Sequence, residues 1–137
     1  KEIMDYLRNT SRSFMFSTGL SPPDAASALA ALKIIKNDGK LRNKLISNAN
    51  YLRAGLSKLG FKAGGELQII PVEIGDNKKA MQFQKLLEKE GIFVAAIRPP
   101  TVPKPILRIS AMATHTKEQM DRALEGFKKA KNKLKLL

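Results

Sequence analysis

Four of the seven prolines in this 137-residue chain, Pro99, Pro100, Pro103 and Pro105, fall in one short segment, bracketed by the apolar runs Ile92–Ile97 and Ile106–Ala111. Proline fixes φ and removes a backbone donor, so this segment can be neither helix nor central strand. It reads as a stiffened loop between two strands, held in one shape at low entropic cost. An arginine stands at each end. Arg98 closes the first run and Arg108 lies inside the second. Period-2 alternation from Ile106 puts Leu107, Ile109 and Ala111 on one face and Arg108 on the other with Ile106 and Ser110. A guanidinium so placed faces water, a partner or a ligand, and its planar fork suits a carboxylate or phosphate. Strand-end solubility or a local ion pair is the ordinary use of such an arginine. The crowding of prolines around this pair points instead to a binding loop.

The remaining elements follow from caps and periodicity. Ser21, Pro22 and Asp24 read as N-cap, first-turn proline and first-turn acid of a helix running through Ala28, Leu29, Leu32 and Ile35 to a stop at Asn37-Asp38-Gly39. A second helix follows, its stripe Leu41, Leu45, Ala49, Leu52, Leu56 and Leu59 spaced 4, 4, 3, 4 and 3 and ended by Gly60. Leu67–Ile74 is strand-like around Pro71, which places that residue at an edge or bulge. Asn77–Glu90 is helical, with Ala80, Phe83 and Leu87 inward and Gly91 as its stop. Thr116-Lys-Glu-Gln119 is a capping-box pattern opening the last helix. The order predicts an α+β fold: a small, mostly antiparallel sheet with helices on one face and the other face free to border a cleft.

The charge invites a second class of function. Lysine and arginine total 25 against 12 acids, a net +13, which permits a basic polyanion- or nucleic-acid-binding module. The basic residues are spread through every segment, however, and no aromatics alternate with them to stack bases. The densest group, Lys128, Lys129, Lys131, Lys133 and Lys135, lies on a helix whose apolar positions Leu124, Phe127 and Leu134 mark the buried side, so a solvated face is expected and no nucleic-acid partner. Zero cysteines exclude disulfides and thiolate metal sites, and one histidine with scattered acids gives no metal constellation. No apolar run reaches membrane-spanning length and no signal peptide is evident, so no membrane partner and a cytoplasmic location are expected.

Two motifs in order carry a family likeness. Ala96-Ile-Arg-Pro-Pro-Thr-Val-Pro103 followed by Leu107-Arg-Ile-Ser-Ala-Met-Ala-Thr-His-Thr116 resembles the C-terminal region of the α-oxoamine synthases, enzymes dependent on pyridoxal 5'-phosphate (PLP) that condense an amino acid with an acyl-CoA and release carbon dioxide. Tyr6-Leu-Arg-Asn-Thr-Ser-Arg-Ser-Phe-Met-Phe-Ser-Thr-Gly-Leu-Ser-Pro-Pro23 is similar to the segment that follows the cofactor lysine in that family. Arg98-Pro-Pro-Thr101 is most similar to the 8-amino-7-oxononanoate synthase branch, which the resemblance links to L-alanine, pimeloyl-CoA and biotin synthesis; a branch using glycine and acetyl-CoA, the 2-amino-3-ketobutyrate CoA ligases, is the alternative. Gly65-Glu66-Leu67-Gln68 departs from the family, whose members more often carry Ser-Pro or Ser-Gln before the strand.

The resemblance implies the C-terminal small domain of a fold-type I PLP-dependent transferase. Residues 1–20 then follow the cofactor-lysine region, 21–60 form bridging helices and 61–137 the α+β domain. The first long helix is expected to leave its apolar side exposed. By the same resemblance Arg108 pairs with the α-carboxylate of the amino acid, Thr101 contacts substrate, and Arg98 lies near the acyl or carboxylate end. Ser17 and Thr18 reach the cofactor phosphate of the partner subunit in a homodimer. A turn hydroxyl at Thr101 and an ST-turn at Ser17-Thr18 are the structural alternatives. The family's Schiff-base lysine, pyridinium-nitrogen aspartate and ring-stacking histidine are not found here. His115 reads as a capping or packing residue, so no catalytic residue and no cofactor binding are expected of this polypeptide alone.

Overall fold

The computed structural model describes residues 1–17 and 19–135. The chain divides into two units, Lys1–Asp38 and Gly39–Leu137. In the first, α1 (Glu2–Thr10), α2 (Arg12–Met15) and α3 (Pro22–Asn37) bury none of their residues. Helix α3 starts as its sequence dictates: Ser21 is extended at φ −67° and ψ 148°, and its hydroxyl accepts from the Asp24 amide at 3.4 Å. Leu29, Leu32 and Ile35 are exposed, matching the expectation for this helix.

The second unit holds α4 (Gly39–Lys58), β1 (Ile69–Glu73), α5 (Asn77–Lys89), β2 (Ala95–Ile97), β3 (Ile106–Ser110) and α6 (Lys117–Leu134). Helix α4, grouped with α3 on sequence, buries Ala49, Leu52 and Leu56 here, while Leu41 at its start is exposed. The strands pair antiparallel in the order β1-β3-β2. The proline loop is thus the connection of a hairpin, with Ile97 opposite Ile106 as its last pair. Beyond that pair the Pro105 carbonyl accepts from the Ile74 amide at 3.1 Å, tying the loop to the end of β1.

Both sheet edges are closed. On the β1 side, the Pro71 carbonyl accepts from Gly64 at 2.9 Å and the Glu73 amide donates to the Lys62 carbonyl at 3.2 Å. On the β2 side, the Ala96 amide donates to the Gln84 side chain of α5 at 3.1 Å. Edges covered in this way present no template for another strand. The strands are shorter than the apolar runs that announced them. Leu67 lies outside β1, and Ile92–Val94 run outside β2.

The core sits between the sheet and the helices. Phe61, Phe83 and Phe127 pack edge-on and tilted with centroids 5.8, 5.8 and 5.3 Å apart, joined by Leu56, Ile70, Val72, Leu87 and Leu107. Each such aromatic contributes roughly 1.5–3 kcal/mol by leaving water, plus about 0.5–1.5 kcal/mol from ring geometry. Gly126 on α6 is buried, and a Cβ there would meet Ile92; Gly55 on α4 stands likewise against Leu124. Close packing against these helices offsets the ~1 kcal/mol that mid-helix glycine costs.

The capping box at Thr116 and Gln119 forms in both directions. Lys131 differs from the solvated face expected of it: its ammonium donates to the Leu59 carbonyl at 2.6 Å and lies 5.8 Å from the Phe61 ring centre, closing the end of α4. Lys128 and Lys129 are exposed and pair with Glu125 and Glu90 at 3.8 and 3.3 Å. No described helix is long and apolar enough to cross a membrane, and no metal-ligating cluster occurs among the described residues.

Candidate functional site

The sheet has a helix-covered face and an open one. Leu107, Ile70 and Val72 are buried on the first, so alternation turns Arg108, Pro71 and Ala95 to the second, where register sets them in one cross-strand row. Glu73, Ile106 and Ile97 form the next row toward the proline loop, and Ile69 and Ser110 the row on the other side. Arg108 occupies the central strand and is exposed. Among the described residues its guanidinium forms no hydrogen bond or ion pair; the ion pairs there are Arg8–Asp5, Lys128–Glu125 and Lys129–Glu90. Its flanking Pro71 and Ala95 are short and apolar, leaving the fork room for a planar anion.

Arg98 and Thr101 sit in the loop just past the last strand pair, both exposed. The Thr101 amide donates to the Arg98 carbonyl at 3.1 Å, a turn that fixes the backbone and leaves the threonine hydroxyl free for another partner. The peptide between Pro99 and Pro100 is cis. Arg98 falls on the parity opposite to Ile97 and Ala95, so strand geometry gathers Arg98 and Thr101 at the loop end of the sheet without putting Arg98 in the row of Arg108. Ser17 belongs to the first unit, is exposed, and donates its amide to the Phe14 carbonyl at 3.4 Å. Thr18 lies outside the described residues.

Three polar residues escaped the sequence reading. Asn48 is buried on α4 and donates to the carbonyls of Met112 and His115 at 2.9 and 3.2 Å. His115 in turn accepts the Met112 amide on Nδ1 at 3.2 Å, so it packs and caps a turn, as its position suggested. Arg53 donates to the carbonyls of Gly64 and Leu67 at 3.3 and 2.8 Å and to Asn50 at 2.6 Å, fastening the Gly64–Leu67 loop to α4. Tyr51 donates to the Asp121 carboxylate, and that bond holds its phenol above the usual tyrosine range. A cavity of about 650 Å³ lies on the helix side, lined by Leu52, Ile92, Phe93, Ile109, Leu124 and Phe127 among others.

PLP needs partners both for its phosphate and for its ring. Ser17 presents a hydroxyl able to meet a phosphate. The ring has no candidate histidine, because His115 is occupied in its turn.

The sequence profile described as aminotransferase class I and II matches residues 1–127. The 8-amino-7-oxononanoate synthase of Thermosipho melanesiensis is 47% identical over 98% of this chain and 35% of its own length. The serine palmitoyltransferase of Bacteriovorax stolpii is 40% identical over 96% of this chain and 32% of its own length. A solved structure of serine palmitoyltransferase from S. paucimobilis with bound PLP–myriocin aldimine superposes with a TM-score of 0.83 at 28% identity, covering 98% of this chain and 35% of that one. The chain therefore spans about a third of the length of these relatives, 32–35%. With a profile matched over residues 1–127 and a three-stranded antiparallel sheet backed by helices, the chain belongs to the aminotransferase class I and II family and has the α+β fold of a fold-type I PLP transferase.

Proposed function

We propose that this chain is the substrate-carboxylate-binding domain of a PLP-dependent acyltransferase of the α-oxoamine synthase type, which joins an amino acid to an acyl-CoA with loss of carbon dioxide. The observation that carries this reading is Arg108 at the centre of the open sheet face, exposed, without an acidic partner among the described residues, and beside a proline-stiffened loop. Arg108 binds and orients the amino-acid carboxylate through two parallel hydrogen bonds. Thr101 contacts the substrate, and Arg98, in the same turn, meets its acyl or carboxylate end. Ser17 and Thr18 serve the cofactor phosphate of the partner subunit in a homodimer. PLP, when bound by the parent enzyme, supplies the electron sink for decarboxylation and carbon–carbon bond formation.

For substrates we favour L-alanine and pimeloyl-CoA, a step of biotin synthesis. This is supported by Arg98-Pro-Pro-Thr101 and by the relatives named 8-amino-7-oxononanoate synthase. The test is release of free CoA thiol by the full-length parent, offered L-alanine with pimeloyl-CoA, glycine with acetyl-CoA, and L-serine with palmitoyl-CoA. Turnover is expected with the first pair. Turnover only with another pair would overturn the substrate assignment, and none with any pair would overturn the acyltransferase reading. The 137-residue chain alone is expected to give no Schiff-base absorbance with PLP; a stoichiometric band would show that one of its own lysines is the anchor.

A further inference from the structure

The open face carries one carboxylate beside Arg108. Glu73 stands at the end of β1, exposed, paired with Ile106, while Arg108 is two residues further along β3 and paired with Pro71. The two are diagonal neighbours on the same face, a spacing of roughly 7–8 Å between backbones. No ion pair joins them among the described residues. The row on the other side of Arg108, Ile69 and Ser110, brings no charge. Arg98 and Lys104 lie in the loop past the last pair, Ile97–Ile106.

We propose that Glu73 is a specificity-determining residue of the Arg108 site: it lowers the affinity of a ligand that turns a second carboxylate toward the end of β1, and there it opposes the attraction of Arg98 and Lys104 in the loop beyond. This inference rests on the carboxylate-binding reading of Arg108. Once one carboxylate occupies the guanidinium, a second anionic group on the same ligand comes within several ångströms of Glu73. Repulsion between exposed unit charges at that range changes affinity by about 3- to 8-fold, and salt weakens it. An amino acid with an uncharged side chain escapes the repulsion.

The experiment titrates the 137-residue chain with propionate and with succinate, which differ by one carboxylate, following the backbone amide resonances of β3 by NMR. In Glu73→Gln, and equally in Glu73→Ala, the ratio of succinate to propionate affinity is expected to rise about 3- to 8-fold, with the rise fading at roughly 1 M salt where the screening length is ~3 Å. An unchanged ratio, with both probes still dependent on Arg108, would overturn the role of Glu73 alone. Equal binding of both probes to Arg108→Gln would overturn the carboxylate site itself, and the inference with it.

Discussion

Pro71 and Arg108 face each other across the β1–β3 ladder as a pair that exchanges no backbone hydrogen bonds. The Pro71 carbonyl points away from β3, to the Gly64 amide, so the missing N–H of proline falls on the outer side and costs the ladder nothing. Side chains in such pairs lie closest together. A short, stiff ring therefore flanks the arginine where a longer residue would crowd its fork.

Arg108→Lys in the full-length parent keeps the charge and loses the planar fork. A loss of about 1.5–3 kcal/mol in kcat/KM for the amino acid is expected, with little change in melting temperature. Steady-state kinetics beside thermal unfolding checks this; lowered stability with intact kinetics would make Arg108 a structural residue.

Phe83 is fully buried between Phe61 and Phe127. Phe83→Ala should cost about 3–5 kcal/mol of unfolding free energy, measured by urea titration, because the sheet and helices cannot collapse fully onto the space it vacates.

Asn48 gives both amide protons to loop carbonyls inside the protein. Asn48→Leu strands the His115 carbonyl and leaves that of Met112 with only the His115 amide, and a destabilisation of about 1–3 kcal/mol is expected. Hydrogen exchange should report faster opening of the Met112–His115 turn, whose amides at Met112 and His115 are otherwise bonded.

Gly65 has φ +82°, and a Cβ there would meet the Ile69 carbonyl. Gly65→Ala combines a left-handed backbone with a clash against main chain, so a loss of more than about 1 kcal/mol is expected. A larger effect on β1 amide protection than on α6 would locate the damage.

The backbone amide of Glu118 itself, then the Thr116 hydroxyl, hold the Glu118 carboxyl below the usual carboxylate range. A depressed carboxylate stabilises the fold above its unfolded value, and that contribution is lost as pH falls through the folded value. Thr116→Ala should lower stability by about 0.5–2 kcal/mol at neutral pH and flatten the acid side of the stability profile. Denaturant titrations across the acid range read both effects.

The sequence by itself determined what short-range chemistry controls. Ser21 and Thr116 cap helices because their hydroxyls reach amides three residues on. Gly60 and Gly91 end helices at φ 85° and 75°, and alternation alone turned Arg108 away from Leu107. Only the tertiary structure decided that β3 is the central strand, so that Arg108 stands mid-face between Pro71 and Ala95 with Glu73 diagonal to it. It also decided that Asn48, Arg53 and Gln84, which look like surface residues in the sequence, bond to backbone 11 to 67 positions away. Local propensity and periodicity carry no record of such partners, because a side chain's distant acceptor exists only once the sheet order and helix packing have brought it within reach.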